Sequence, residues 1–385
     1  MTKPVILHIS GDYPDIMQPA KTKAVLNLVE GTPEYRHVVY SLNRVNGIGG
    51  ISSMSFGKDR TAVAYGALPK GVLWERRLPQ IAHWIAADLK AKNITPDLIE
   101  AHKFTIEGVI GHELLKTYNC PLICDIQGYT DINILRKKRS LRERYKEIAK
   151  ISAAILPYAP WPIKAFEELV NLDADKCTCL PVVPYVDKMM AAPVIEEHKL
   201  LSVFHLDGWQ NKNFEGVALA VKKLRERYSG LTLDVYGGGS AKTILALQKI
   251  IDGNDIGAYV RLMGPVENGK MPELMQQYVG FVMPSKSESY GLVYIEALFS
   301  GVPILFNANR GISGYFDEKD IGYGCDPHSI DDISAGMAHL IDNQAYLKKN
   351  IAKMQKEGAF DMCRGGNIIK TYKNVIDGVL SDKKI

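Results

Sequence analysis

Two glutamates, Glu288 and Glu296, stand eight positions apart in SKSESYGLVYIEALFSGVPIL (285–305), with Gly291 between them where an apolar run begins. A helix starting there leaves the N–H groups of Gly291, Leu292 and Val293 unpaired and suited to phosphate oxygens. Glu296 would stand more than a turn into that helix, placed to accept from both hydroxyls of a ribose. Glu288, on the loop before it, would reach another part of the same ligand. The spacing therefore spans a nucleotide-sugar: one acid at the ribose, backbone donors at the diphosphate, the other acid near the sugar. The plainer reading is two surface glutamates favoured by a helix N-terminus. Against it, Glu296 lies among Val293, Tyr294, Ile295, Ala297 and Leu298.

Two neighbouring segments add to this. Lys212, in DGWQNKNFEG, falls just ahead of a helix and would clamp a diphosphate as a point charge; standing alone it reads as a solvated lysine. Gly237-Gly238-Gly239-Ser240 follows the run LTLDVY. Glycines there permit close ligand approach at a helix N-terminus, and a tight strand-to-helix turn explains them equally well. The pattern is not G-x-G-x-x-G, and no acidic residue follows at the usual interval, so NAD is disfavoured. No Asp-x-Asp follows a strand, so no metal and no cofactor are expected.

These residues need a scaffold, and the hydrophobic pattern supplies one. PVILHIS (4–10), RHVVYSL (36–42), DLIEAH (97–102), PLICDIQ (121–127) and AAILPY (153–158) are short runs apolar on consecutive positions, as parallel strands covered on both faces must be. Helical stretches at 20–30 and 79–92 separate them. The series then restarts with LLSVFHL (200–206), LTLDVYG (231–237), YVRLMG (259–264), GFVMPS (280–285) and PILFNA (303–308), separated by helices at 216–228, 241–250, 271–278 and 292–300. This is α/β, with two doubly wound Rossmann-like domains. The Pro-rich stretch 181–199 sets the boundary, giving domains at 1–187 and 188–364, with a last helix at about 365–385 available to pack back on the first. Ligands in such sheets bind outside the carboxyl ends of the strands, and two facing domains would share a cleft there.

Composition agrees. Of 385 residues, 46% are hydrophobic and 23% charged, ordinary for a globular protein. No apolar run approaches the ~20 residues of a membrane span. The chain opens directly on a strand with no signal pattern, so a cytoplasmic location is expected. Cys177-Thr178-Cys179 has no matching pair at ligand spacing, and the six cysteines read as buried thiols. The net charge of +4 is concentrated in one segment: Arg136 to Lys150 holds eight Lys/Arg and two Glu. That excludes a general nucleic-acid binder.

PSKSESYGLVYIEALFSGVPIL resembles the signature of retaining glycosyltransferases of the GT-B fold, glycosyltransferase family 4. QNKNF resembles that family's phosphate-lysine segment, VYGGG its glycine turn, and PYVDKM its interdomain linker. VRLMGPVENGKMPELM resembles the strand and loop beside the nucleotide base, which brings in Pro265 and Val266. PDLIEAHKFTIEG resembles the segment whose histidine, here His102, faces the donor sugar; the plainer reading of His102 is a strand-end histidine. Where the family carries an arginine before the lysine, this chain reads FHLDGW, leaving His205 or backbone N–H groups to contact the diphosphate. Its first-strand loop, SGDYPDIMQPAK, keeps only Gly11. The resemblance implies metal-independent transfer of a sugar from a UDP- or GDP-sugar to a hydroxyl, with Lys212 and the amides of 291–293 on the leaving diphosphate. Same-face attack is implied, with Glu288 orienting sugar hydroxyls.

The acceptor is read from LRKKRSLRERYKEIAKI (135–151), a helical pattern with Leu135, Leu141, Ile148 and Ile151 among basic residues. It either packs on its own sheet or rests Arg136, Lys137, Lys138, Arg139 and Arg142 on an anionic membrane, aided by Trp74, Trp84 and Trp161. The second use implies a lipid-linked saccharide acceptor, as in exopolysaccharide or cell-surface glycan synthesis. The alternatives are a sugar-phosphate synthase using Lys21, Lys23 and Lys103, a soluble small-molecule glycosyltransferase, and a non-catalytic nucleotide-sugar-binding subunit.

Overall fold

The computed structural model describes residues 3–47 and 49–382 and divides into two compact units. The first comprises Met1–Tyr158, Pro162–Val183 and Gly366–Ile385; the second comprises Ala159–Trp161 and Pro184–Gly365. The chain thus changes unit at Pro184, a few residues before the expected boundary, and returns at Gly366. Of the expected last helix, residues 383–385 lie outside those described.

The first unit is built on a seven-stranded sheet. Its strands are β1 (Val5–Ser10), β2 (Arg36–Asn46), β3 (Ile51–Gly57), β4 (Arg60–Ala67), β5 (Leu98–Ala101), β6 (Leu122–Ile126) and β7 (Ala154–Pro157). They are ordered β3-β4-β2-β1-β5-β6-β7, with β3 alone antiparallel to its neighbour. Central strands are buried along their length, as helices on both faces require. β3 and β4 were not expected from the sequence. β3, ISSMSFG, is a largely exposed edge rich in serine, so no apolar run announces it.

The helix Gly365–Asp382 completes this unit. Its Ile368, Tyr372 and Ile376 pack with Ile6, Leu98, Ile123 and Leu156 in one core cluster. The Tyr372 hydroxyl donates to Glu100 Oε2 under the sheet, and Tyr35 donates to Asp377 at 2.5 Å.

The second unit has six parallel strands: β8 (Lys199–Val203), β9 (Thr232–Tyr236), β10 (Val260–Gly264), β11 (Gly280–Val282), β12 (Ile304–Asn307) and β13 (Gly322–Cys325). Their order is β10-β9-β8-β11-β12-β13. The order reverses at β8, which puts the ends of β8 and β11 at a topological switch point. β13, GYGC, escaped the sequence reading because two glycines dilute its apolar character.

The basic segment differs from expectation. It is not one helix but the helix Tyr129–Lys137, a 3-10 turn Arg139–Leu141 and the helix Arg142–Ile151, interrupted at Lys138, whose ψ is 63°. Lys138 is drawn inward. Its ammonium donates to Gly71 O at 2.8 Å and lies 5.5 Å from the Trp74 ring centre. Leu135, Leu141 and Ile148 are buried, so packing accounts for them, while Arg136, Lys137 and Arg139 are exposed. The tryptophans are not an interfacial belt. Trp74 is buried, Trp84 stacks edge-on against Tyr40, and Trp161 belongs to the second unit, donating to Ser289 O at 3.0 Å. Among the described residues, no helix is long and apolar enough to cross a membrane.

Candidate functional site

The loop from β11 to the helix Leu292–Phe299 is held from several sides. Gly291 has φ +79°, and a Cβ there would fall 2.5 Å from the Tyr294 ring, so only glycine fits. Tyr294 is the anchor: buried against Phe281 and Phe306, it donates its hydroxyl to Met283 O. Asn211 stitches the loop to the segment after β8. It donates to Ser287 O at 2.7 Å and accepts from Ser287 N at 3.0 Å. Asn307 braces it from β12 by donating to Ser285 O at 2.8 Å.

This stitching brings Lys212 and Glu288 together. Lys212 Nζ lies 2.5 Å from Glu288 Oε2, with the side chains 23% and 13% exposed. The sequence reading placed each near a ligand but did not pair them. Asn211 was missed too, although an Asn beside that lysine was a usable signal. Among the described residues, no side chain caps the helix at Gly291. Four residues into the helix, burial lifts the Glu296 carboxyl to about 7, with the backbone at Tyr185 working weakly against it.

The glycine turn after β9 is shaped by the chain packed against it. Gly237 has φ +153°, and a Cβ there would fall 1.8 Å from Phe204 O; at Gly239 it would fall 2.7 Å from Leu206 Cβ. Close chain packing demands both glycines. The Gly237 N–H is given to Gly264 O at 2.9 Å. The following helix, Ala241–Gly253, is capped by Ser240, whose N–H and hydroxyl both donate to Asp207. The Ser240 hydroxyl accepts from Thr243 N, so one of the helix's N-terminal amides is taken by the cap. His205 stands exposed 3.9 Å from Asp207. Pro265 is exposed and Val266 half-buried just past β10, at the same carboxyl edge.

Two first-unit residues are also corrected. His102 is 1% exposed, and both ring nitrogens are engaged: Nδ1 with Asp125 Oδ2 at 2.7 Å and Nε2 with His8 Nδ1 at 3.0 Å. It belongs to a buried network and is not presented to a sugar. Burial opposes charge on it, but Glu100 and Asp125 outweigh burial and hold its pKa at about 9. His8, Glu100 and His102 place ligating atoms within 4.8 Å of one another, close enough for a metal, yet the two imidazoles already bond each other and protein carboxylates. Gly11 gives its N–H to Glu107 Oε1 at 2.8 Å, so it lines a first-unit cavity and is not a free donor to a nucleotide.

Known proteins share this architecture. Residues 188–358 match the family described as glycosyl transferases group 1. N-acetyl-alpha-D-glucosaminyl L-malate synthase of Bacillus anthracis is 26% identical over 192 residues, which cover 50% of this chain and 48% of that protein. The match thus spans about half the length of that relative. The sucrose-phosphate synthase of Thermosynechococcus elongatus has a TM-score of 0.75 at 15% identity, covering 99% of this chain and 100% of that one. Anabaena HepE, solved in complex with UDP, has a TM-score of 0.69 at 13% identity, covering 97% and 100%. The family match takes in every strand of the second sheet and the loop that pairs Lys212 with Glu288; over those residues the chain is similar to the glycosyl transferases group 1, and as a whole it has the GT-B fold.

Proposed function

We propose that this chain transfers a sugar from a nucleotide-sugar to a hydroxyl acceptor with retention at the anomeric carbon. The observation that carries the reading is the Lys212–Glu288 pair beside an uncapped helix start, with Glu296 one turn on. The C1–phosphate bond breaks while the acceptor oxygen bonds C1 on the same face, and its proton passes to the departing phosphate oxygen. Charge grows on the diphosphate as this happens. Lys212 and the amides of Gly291, Leu292 and Val293 are fixed cationic and dipolar partners for it, a preorganised arrangement. Glu288 holds Lys212 in place, then takes hydroxyls of the donor sugar. Glu296 accepts from the ribose. With these partners the reaction needs no divalent cation.

The nucleotide is UDP on this reading, supported by the presence of UDP in the complex of the structurally similar Anabaena protein. The acceptor is a lipid-linked saccharide. Support for it comes from the exposed Arg136, Lys137 and Arg139, which suit the anionic inner face of a membrane. Labelled UDP-sugars offered with membrane lipid extract test the whole reading, with product configuration read by NMR. A product whose anomeric configuration is opposite to the donor's overturns retention, and no transfer from any nucleotide-sugar overturns the reading itself.

A further inference from the structure

Strand alternation in the first unit gathers titratable side chains on the face that the helix Gly365–Asp382 covers. Glu100 and His102 stand two positions apart at the end of β5 and so point the same way. β1 places His8 directly opposite Glu100, and β6 brings Asp125 beside His102. Each of the four is at most 1% exposed. His8 Nδ1 lies 3.0 Å from His102 Nε2 and 3.2 Å from Glu100 Oε2. Two further oxygens, Glu100 Oε1 and Asp125 Oδ1, have no hydrogen-bond partner among the described residues.

The hydrogens of this network can be counted from its ends. Thr32 O only accepts, so His37 Nε2, facing it at 2.8 Å, carries that ring's hydrogen. His37 Nδ1 is then bare and accepts from His8 Nε2 at 2.8 Å. This leaves His8 Nδ1 as a lone pair. At the other end His102 Nδ1 donates to Asp125 Oδ2 at 2.7 Å, which leaves His102 Nε2 bare as well. Two imidazole lone pairs and a carboxylate oxygen therefore converge, and a cation among them removes the repulsion. The bond between the two rings uses the smallest such cation, a proton on His102. That proton leaves the charge unbalanced, because it stands against both Glu100 and Asp125. Among the described residues both carboxylates form ion pairs with histidines alone. An uncompensated charge at this depth is costly. A divalent ion in place of the proton balances the two carboxylates.

The spacing suits a transition metal. Zinc held by imidazole at about 2.0–2.1 Å sets tetrahedral ligand atoms roughly 3.3 Å apart. The 3.0 and 3.2 Å contacts need open only slightly to reach this, and the three ligating atoms already lie within 4.8 Å of one another. Each ligand also has an outer partner that fixes its direction: Asp125 on His102, His37 on His8 and Tyr372 on Glu100. Imidazoles with a carboxylate favour zinc over calcium or magnesium, which take oxygen ligands.

We propose that His8, His102 and Glu100 bind one zinc ion as a structural site of the first unit, with Glu100 offering both oxygens. The ion ties β1 to β5 beneath the helix Gly365–Asp382. The site is independent of the transfer reading, because no step at Lys212 and Glu288 uses it. The ligands are buried, so the ion enters before that helix closes over Glu100, and EDTA in native buffer leaves it in place.

The test uses the full chain freed of any affinity tag. It is unfolded in urea with EDTA and refolded with either zinc chloride or EDTA. Metal content is read by mass spectrometry after desalting. About one zinc per chain is expected after refolding with zinc, and a higher urea midpoint than in the chelated sample. His8→Gln and Glu100→Gln are expected to lose both the ion and the midpoint difference. Asp125→Asn keeps all three ligands and is expected to weaken zinc binding about 10–100-fold. Changing Cys177 and Cys179 to Ser controls for adventitious thiolate binding and is expected to alter neither readout. A zinc content well below one per chain in the parent overturns the proposal. So does a midpoint that zinc leaves unmoved, or a zinc content that His8→Gln and Glu100→Gln both retain. Should those two variants fail to refold, the parent's zinc content and midpoint decide the matter.

Discussion

At the scale of single residues, Lys212 and Glu296 are assigned to different moments of the reaction. Lys212 meets charge that grows in the transition state, so Lys212→Ala is expected to lower kcat by about 10²–10³, the range seen when one preorganised charge partner is removed. Glu296 meets ribose hydroxyls in ground and transition states alike, so Glu296→Ala is expected to raise donor KM with kcat little changed. Steady-state kinetics on both variants separate the two roles. Glu296 also carries a pH signature. Burial lifts its folded pKa to about 7, from the 4.5 of an ordinary glutamate. As pH rises between those values the unfolded chain has already released a proton that the native carboxyl keeps. Its contribution to stability is therefore complete at low pH, falls through that interval and is flat above about 7. Donor affinity moves the opposite way, rising as the carboxylate forms. Glu296→Gln should flatten both profiles in urea titrations and UDP binding between about pH 5 and 8. Lys212, Glu288 and Gly291 stood out in the sequence because they follow strand ends, and Glu296 because it stands at a distinctive spacing inside the next helix. Glu107 did not: a lone acid in KFTIEG reads as a surface residue until the fold buries it beside Gly11.

At the scale of elements, the sequence reading succeeded where strands are apolar on consecutive positions and failed where they are not. β5 and β6, all buried, were legible; the β3–β4 hairpin, with its serine-rich edge, and the glycine-rich β13 were not. The glycine turn shows a second limit. Gly237 and Gly239 were visible, but whether they approach a ligand or the chain itself depends on Phe204 and Leu206, which only the folded structure brings there. Likewise the basic 135–151 pattern hid a break, because Lys138 bonds a carbonyl 67 residues away in sequence. The helix Gly365–Asp382 yields a prediction at this scale. Tyr372 satisfies one oxygen of the fully buried Glu100, whose other oxygen has no hydrogen-bond partner among the described residues. Tyr372→Phe leaves that carboxylate short of a donor and is expected to destabilise the protein by about 1–3 kcal/mol in urea unfolding, with UDP binding retained by the folded fraction. A loss below a few tenths of a kcal/mol would show that the contact does not clamp the helix.

At the scale of the whole molecule, two predictions concern what the enzyme needs and where it works. Activity is expected to survive EDTA, since Lys212 and the helix amides supply the positive partners; complete loss restored by manganese or magnesium would show a metal in the reaction. Co-sedimentation is expected with anionic liposomes and not with neutral ones, weakening as salt is raised. Changing the exposed Arg136, Lys137 and Arg139 to Ser should reduce it, whereas Lys138→Ser should act mainly on stability, because that ammonium is turned toward Gly71 and Trp74. Equal recovery in the supernatant under every condition would point to a soluble acceptor.

The return of the chain to the first unit at Gly366 has a consequence for its synthesis. Strands β1 to β7 leave the ribosome early, but the residues that cover their face and pair Glu100 come only after the whole of Pro184–Gly365. At roughly 5–20 residues per second this is a wait on the order of ten to forty seconds. Throughout it, the nascent first unit shows Ile6, Leu98, Ile123 and Leu156 to whatever hydrophobic surface is nearby. The second unit is free of this delay and can fold as soon as it emerges. The half of the protein made first is therefore the half finished last, and it is there that a chaperone would be needed.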